Sequence, residues 1–181
     1  MNVKGSICIN LIKMIKSDKS GACDKFLTDK DREIMNQKIM SSIWYPFETY
    51  KHWITAIFEV FAKKNPEVAK EWGRQVGQMA MTTIYAAYVT NRDPMYFLSN
   101  YEMIHKNFYD FGKIEVAVEG KNQVLYKMSE FDSECVPLFY IIQGWLERGV
   151  ELCGAKNVKI EFVTKSWEGH PDTTFRISWT S

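Results

Sequence analysis

The sequence contains few of the residues and patterns that signal catalysis or metal binding. Among 181 residues there are three histidines and four cysteines, and no two cysteines have the C-x-x-C spacing of a metal or redox site. G-x-G-x-x-G and P-loop patterns are absent. These absences argue against a zinc centre, a nucleotide-binding loop and an enzyme. We therefore expect no catalytic residue and no metal ligand.

Charge of one sign and long apolar runs are also missing. The chain has 23 basic and 22 acidic residues, a net charge of +1, and so no electrostatic reason to bind nucleic acid or an anionic membrane. No apolar run approaches the ~18–20 residues that span a bilayer. The first apolar segment is interrupted by Asn10, Lys13 and Lys16, and no signal-peptide cleavage site follows it. We expect a cytoplasmic protein without a membrane span.

The cysteines are expected to be free thiols, because the cytoplasm is reducing and an isolated cysteine packs as a small apolar group. This expectation covers all four: Cys8, Cys23, Cys135 and Cys153. Paired carboxylates such as Asp31 and Glu33 lie in polar segments and are expected to be solvated caps rather than an acid/base pair.

Apolar and aromatic residues are plentiful, at 46% and 14% of the chain, which is enough for a substantial core. The length suits a single domain over residues 1–181. Its pattern changes near Gly112. Residues 1–111 show helical spacing, and residues 112–181 show mostly strand spacing.

Five helices are predicted in the first part from apolar periodicity, capping residues and prolines at helix starts. They cover residues 3–16, a segment beginning at Thr28 or Asp29, and residues 46–64, 66–89 and 94–109. In the third helix Tyr50, Trp53 and Ile57 share one face, so we expect them to form a buried stripe.

Alternating residues predict four strands in the second part, over residues 113–120, 123–131, 157–165 and 173–179. A long helix over residues 133–154, capped by Ser133 and ended by Gly154, lies between the two hairpins. The fold class is therefore α+β: an N-terminal helical part packed on a C-terminal antiparallel four-stranded strand-strand-helix-strand-strand subdomain. The helix would cover the apolar face of the sheet.

Three stretches carry a resemblance to known ligand-binding domains: MNVKGSICINLIKMIK, EVAKEWGRQVGQMAM and LYKMSEF…GWLERGVELCG. They are similar to parts of a superfamily that contains haem-nitric oxide/oxygen binding (H-NOX) domains, 4-vinyl reductase domains and Bet3-like subunits of the TRAPP tethering complex. Overall the chain most resembles an uncharacterised multi-paralogue family best known from myxobacteria, through Val3-Lys4-Gly5 and Trp44-Tyr45-Pro46…Tyr50. The resemblance spans nearly the whole chain and implies a sensor or signalling domain.

The resemblance also allows haem to be considered. H-NOX domains hold haem through a histidine on a helix before the sheet and clamp its propionates with Tyr-x-Ser-x-Arg. The matching stretch here begins at Tyr126, but Met128 takes the serine position and Glu130 the arginine position. A carboxylate repels a propionate, so no haem or other cofactor is expected. His105, in the region of the axial ligand, is expected to be a partly exposed helix residue.

If the resemblance holds, a cavity would lie between the helices and the apolar face of the sheet. Its expected walls are aromatic and methionine side chains, suited to a small apolar or lipid-like ligand: Trp44, Tyr50, Trp53, Phe58, Met81, Tyr85, Tyr88, Tyr126, Phe139 and Trp145. The same residues would equally fill a closed core.

Three functions remain open from the sequence. The first is a non-enzymatic ligand-sensing or signalling module. The second is a protein-interaction or assembly module with a closed core and no ligand. The third, a lesser alternative, is a haem-based gas sensor. The expected partners are a second copy of the chain, as a homodimer through helices of the first half, and a signalling protein.

Overall fold

The computed structural model describes residues 1–181, and its residue contacts divide the chain into two compact units. Unit 1 comprises Met1–Pro66 and Lys106–Phe111, and unit 2 comprises Glu67–His105 and Gly112–Ser181. The helical part predicted over residues 1–111 is divided between the two units. The single domain over residues 1–181 stays a prediction.

The chain forms eight helices and six strands. The helices are α1 (Gly5–Ser17), α2 (Asp29–Asn36), α3 (Phe47–Val60), α4 (Pro66–Met81), α5 (Ala86–Thr90), α6 (Pro94–Ser99), α7 (Tyr101–Lys106) and α8 (Val136–Leu152). The strands are β1 (Asn2–Lys4), β2 (Trp44–Pro46), β3 (Lys113–Gly120), β4 (Gln123–Ser129), β5 (Lys156–Thr164) and β6 (Thr173–Thr180). None of the helices has the length and apolarity required to cross a membrane.

Unit 1 contains a short antiparallel pair, β1 with β2, in which Val3 lies opposite Tyr45. Val3 also forms a β-bridge with Tyr109. Sequence reasoning missed both strands, because three-residue strands are too short to show a period of two. Pro46 immediately precedes α3 in an extended conformation, which proline's fixed φ favours.

The buried face of α3 confirms the predicted stripe, since Tyr50, Trp53 and Ile57 are all buried. Trp44 instead lies 39% exposed. The ammonium group of Lys4 lies 4.0 Å from the centre of its ring. The aromatic run around residue 44 therefore contributes to both the surface and the core.

Asp31 links α2 to α3 through a fully hydrogen-bonded carboxylate. It accepts from the backbone amide of Thr28 at 2.8 Å and from the Thr28 hydroxyl at 2.7 Å. The Thr28 hydroxyl in turn accepts from the backbone amide of Asp31 at 3.2 Å, which completes a capping box. Nδ1 of His52, on α3, lies 2.7 Å from the same carboxylate. Only 1% of the Asp31 surface is exposed. Asp31 does cap α2, as predicted, but the prediction that it is solvated is wrong.

Unit 2 is built on a four-stranded antiparallel sheet in the order β3-β4-β6-β5, which confirms the predicted fold class. Helix α8 packs on the apolar face of the sheet, and its Gln143 side chain donates to the carbonyl of Ile160 in β5 at 2.7 Å. The helix begins after Cys135 rather than after Ser133, so the predicted cap is wrong, whereas the predicted end at Gly154 is confirmed.

Two predicted long helices are interrupted. The helix predicted over residues 66–89 ends at Met81 and resumes as α5, because the hydroxyls of Thr82 and Thr83 bond to carbonyls three and four residues earlier and compete with helix continuation. The helix predicted over residues 94–109 is divided at Asn100 into α6 and α7.

Helices α4 and α8 cross with their backbones in contact. An added Cβ at Gly73 would lie 1.9 Å from the carbonyl oxygen of Ile141, and one at Gly144 would lie 1.8 Å from that of Lys70. Salt bridges flank the crossing: Glu147 accepts from Lys70 at 2.8 Å, and Arg74 pairs with Glu147 and with Glu151. Only glycine permits this approach, so the crossing depends on both positions.

Gly144→Ala is expected to lower the free energy of unfolding by about 1–3 kcal/mol, because the new methyl group overlaps the α4 backbone. The same change in an uncrowded helix would stabilise it by up to about 1 kcal/mol, so the sign is informative. Urea unfolding followed by circular dichroism measures the change. Gly120→Ala is the control, since its Cβ would meet only Gln123 Cβ at 4.0 Å. Equal stabilities of the two variants would contradict the crossing.

Asp31→Asn is expected to flatten the acid dependence of stability. Burial alone would raise the pKa of Asp31, but hydrogen bonds from Thr28, Thr49 and His52 outweigh it and hold the pKa below its usual range. A lowered folded-state pKa gives stability that is present above the unfolded pKa of about 4 and is lost as the pH falls through the folded value. Urea titrations between about pH 5 and 3 should show a shallower loss for this variant.

The control for that measurement is Asp29→Asn, which removes an exposed carboxylate from the same helical turn. It should retain the acid sensitivity of the unaltered protein. If Asp31→Asn instead loses stability as steeply as the unaltered protein does, Asp31 is not the link between α2 and α3 described above.

Candidate functional site

An aromatic cluster fills the part of unit 2 where α6, α7 and α8 cover the sheet. Tyr101 lies at its centre, with its ring 5.0 Å from Trp145 of α8 and 5.4 Å from Tyr126 of β4. Phe97 of α6 stacks on Trp145 at 5.9 Å. We call these four residues the aromatic cluster.

The hydroxyl of Tyr126 is the unusual atom of this cluster. It is buried and has no hydrogen-bond partner, although buried polar groups nearly always have one. Burial raises the pKa of Tyr126 well above its usual value, and Tyr101 and Glu102 add to the rise. The hydroxyl therefore stays protonated and offers a hydrogen bond to an acceptor that enters the cluster.

A groove of about 230 Å³ lies beside the aromatic cluster, between α6–α7 and β3. Its lining residues are Leu98, Ser99, Glu102, Ile114 and Val116. Val116 lies directly opposite Tyr126 in the strand register and on the same face of the sheet. We call this feature the β3 groove, and it brings solvent close to the strand position that carries the unsatisfied hydroxyl.

A second groove, of about 450 Å³, is lined by long polar side chains of α4 and α8: Glu71, Arg74, Gln75, Gln78 and Arg148. The charges in this groove are already paired. Hydrogen bonds to Glu151 and Glu147 raise the pKa of Arg74, and Arg148 donates to Gln78 at 2.6 Å and to Glu151 at 2.8 Å. The groove is therefore a flank of the helix crossing and not an anion site.

The ten residues predicted to line a cavity are distributed over both units. Seven are buried: Tyr50, Trp53, Met81, Tyr85, Tyr126, Phe139 and Trp145. Phe58 and Tyr88 are half-buried, and Trp44 is exposed. None of the ten lines either groove, and two of them, Tyr126 and Trp145, belong to the aromatic cluster. A cavity formed by all ten stays a prediction.

Sequence reasoning missed two members of the cluster, Phe97 and Tyr101. Their spacing of four residues places them on one helical face, and the predicted helix over residues 94–109 could have shown this. The missing polar partner of Tyr126 has no signal in the sequence. The same holds for Trp53 in unit 1, whose buried indole nitrogen also has no partner.

The cysteines are buried thiols and are not grouped with other side chains as metal ligands. No group of three or more His, Cys, Asp or Glu residues is placed to hold a metal ion. All four cysteines are free and buried, and burial raises the pKa of Cys8, Cys23 and Cys153 to about 12. Thiols with such pKa values are not nucleophiles at neutral pH. His170 is exposed in its loop, as predicted.

The residues at the haem-clamp positions do not fit haem. Met128 is buried and has no charge to offer a propionate, and the Glu130 carboxylate is exposed and paired with Lys113. Of the clamp, only the Tyr126 hydroxyl remains. His105 is 1% exposed and its ring lies 5.2 Å from Phe131, so the prediction that it is partly exposed is wrong. His105, the axial-ligand candidate, is therefore buried, but neither clamp position supplies a positive charge or a hydrogen-bond donor for a propionate.

Several solved H-NOX domains have a similar fold. An H-NOX protein from S. oneidensis in the Fe(II)NO ligation state has a TM-score of 0.70 and 14% identity, covering 98% of this chain and 99% of that one. The unliganded Fe(II) H-NOX protein from K. algicida has a TM-score of 0.70 and 13% identity, covering 98% and 97%. An oxygen-binding H-NOX domain related to soluble guanylate cyclases has a TM-score of 0.66 and 15% identity, covering 98% and 95%.

At these identities the likeness shows the fold alone, which is H-NOX-like. A comparison with curated protein sequences gives no match. Residues 37–180 match the family described as a protein of unknown function (DUF2378). This match covers most of the chain. The chain, which has an H-NOX-like fold, therefore belongs to the DUF2378 family.

Proposed function

We propose that this chain is a non-enzymatic, cytoplasmic ligand-sensing module that binds a small apolar molecule at the aromatic cluster. The observation that carries the proposal is the buried, protonated and unpartnered hydroxyl of Tyr126. An unsatisfied buried hydroxyl costs about 1–3 kcal/mol, which a ligand with one hydrogen-bond acceptor would recover. The surrounding rings would hold the apolar part of such a ligand.

The short helices provide a way to transmit occupancy. Phe97 is carried by the six-residue α6 and Tyr101 by the six-residue α7, and the chain is interrupted between them at Asn100. Short helices depend on packing for their stability. A ligand among the rings would displace Phe97 or Tyr101 and shift the population of α6–α7 positions, which a partner protein could detect.

The fold supports a sensor function without identifying the ligand. The similar structures include an H-NOX protein in the Fe(II)NO ligation state and the oxygen complex of an H-NOX domain. In this chain the clamp positions do not fit haem, so we propose a different, apolar ligand. The resemblance to 4-vinyl reductase and Bet3-like TRAPP domains is consistent with such a ligand and stays a prediction.

Tyr126→Phe is expected to separate ligand binding from folding. Without ligand, this variant should be more stable than the unaltered protein by about 1 kcal/mol, because it removes an unsatisfied buried group. We also expect a small molecule to co-purify with the unaltered protein and to be absent from this variant. Thermal unfolding measures the first effect, and native mass spectrometry with solvent extraction measures the second.

Tyr140→Phe is the matched control, because Tyr140 packs on Phe162 and Trp167 outside the aromatic cluster. It should retain the co-purifying molecule. Unaltered protein that carries nothing after expression and after incubation with long-chain fatty acids and alcohols would contradict the ligand proposal. An empty protein bound to another chain would favour the interaction module.

Haem remains a second candidate because His105 is buried in a chain with the fold of haem proteins. We expect haem titration to give no stoichiometric complex, since Met128 and Glu130 cannot hold its propionates. Absorption spectra of the unaltered protein and of His105→Ala should both match free haem. A sharp Soret band that is lost in His105→Ala would establish the gas-sensor alternative instead.

A further inference from the structure

Strand β3 forms one edge of the four-stranded sheet and is eight residues long. One side of the strand pairs with β4, and no strand of the chain pairs with the other side. Long exposed edges are templates for pairing with another chain, and proteins usually protect them with short strands, charges, bulges or a covering element. The edge of β3 is neither short nor covered by a strand.

The side chains on this edge divide by face. Ile114, Val116 and Val118 point to the apolar face of the sheet, opposite Met128, Tyr126 and Val124 of β4. Their exposure increases along the strand, from 7% at Ile114 to 65% at Val118. The exposed end of this apolar row, at Val118, is the part that a second strand could adjoin.

The sequence of β3, KIEVAVEG, is complementary to itself when two copies run antiparallel about Val116. In that register Lys113 lies opposite Glu119 of the second copy, and Ile114 lies opposite its Val118. Val116 lies opposite its own copy. The pairing thus contains two Lys–Glu pairs and two Ile–Val pairs, all favourable across an antiparallel ladder.

Neighbouring registers are excluded by charge or by face. If the second copy shifts by one residue, its apolar side chains lie opposite charged ones of the first strand, and the inner face of one sheet continues into the outer face of the other. The two nearest registers that keep the faces are centred on Glu115 and on Ala117. The first places Glu115 opposite its own copy, and the second places Glu115 opposite Glu119, so both set carboxylates against each other.

The Glu119 side chain is held on the face that this register requires. Glu119 is the extra residue of a β-bulge between Val118 and Gly120. Its carboxylate accepts from Arg176 at 3.0 Å and from Gln123 at 2.8 Å, which orients it over the outer face of the sheet. Lys113 extends from the same face and is largely exposed.

We propose that a second copy of this chain docks on β3 in this antiparallel register, so that the two four-stranded sheets form one continuous sheet across a two-fold axis. The interface is isologous, as expected for a two-fold dimer. In this register Ile114, which lines the β3 groove, lies beside Val118 of the second copy. Each exposed Val118 thereby gains an apolar neighbour. The proposal is independent of any ligand at Tyr126, and it places the dimer contact on the sheet edge instead of on helices of the first half.

Charge exchange between Lys113 and Glu119 tests the register. The full chain should dimerise with concentration in sedimentation equilibrium, and Lys113→Glu and Glu119→Lys should each weaken the dimer roughly tenfold, because each creates two like-charge pairs. The double variant K113E/E119K should return to within about threefold of the unaltered protein, because it restores attraction between copies. The pairs within the chain, Lys113–Glu130 and Glu119–Arg176, are not restored in the double variant, so recovery reports the contact between copies.

Disulfide trapping tests the geometry independently. Val116→Cys should form a cross-linked dimer on mild oxidation, because directly opposed residues lie about 4.5–5.5 Å apart between Cα atoms, within reach of a disulfide. Val118→Cys is the control, since the two copies of this residue would lie about 14 Å apart along the ladder. The four native cysteines are buried and do not compete.

Three results would overturn the proposal. The first is a chain that stays monomeric at high micromolar concentration, including one that instead binds another protein through β3. The second is a dimer that is indifferent to both single charge changes, which would place the contact elsewhere. The third is Val118→Cys cross-linking as readily as Val116→Cys.

Discussion

The contact between the backbones of α4 and α8 is the constraint on which unit 2 depends. Two helices that touch through Gly73 and Gly144 have little freedom to slide or rotate, because any side chain in the contact would overlap a carbonyl oxygen. The adjoining Gly77 lies against the backbone and ring of Trp145. The crossing therefore sets the depth of α8 on the sheet and the position of the ring on which Phe97 and Tyr101 pack.

Two buried polar groups, one in each unit, differ in their hydrogen bonding. In unit 1 the Asp31 carboxylate is surrounded by donors from Thr28 and by His52, and its role is to join two helices. In unit 2 the Tyr126 hydroxyl lies among rings with no acceptor. A fully hydrogen-bonded network makes a structure more rigid. A buried polar group without a partner lowers stability, so its presence in a native protein calls for an explanation. The Tyr126 hydroxyl therefore has a hydrogen bond left to donate, whereas the Asp31–His52 pair is already satisfied.

The sheet and α8 were predictable because their patterns are long. Strands of seven to nine residues show a period of two, and a seventeen-residue helix shows its own period. The three-residue strands β1 and β2 carry no period. The breaks at Thr82 and Asn100 arise from local hydrogen bonds that compete with an otherwise good helical pattern.

The candidate site was less predictable, for a different reason. Aromatic residues at core spacing could be listed, and Tyr126 and Trp145 were among them. Burial of Asp31 and His105, however, is decided by neighbours distant in sequence, and next to each of them stand charged residues that suggest a solvated segment. The absence of a partner for Tyr126 is a property of packing in three dimensions, which no local pattern encodes.

The distribution of thiols gives the molecule a built-in probe of its own motions. Cys8 and Cys23 lie in unit 1, Cys135 and Cys153 lie in unit 2, and all four are shielded from solvent. A thiol reagent can modify any of them only when the surrounding structure opens, so the rate of labelling at each cysteine reports the free energy of local opening there. Labelling resolved by peptide would show which unit opens more readily, and it requires no substitution in the chain.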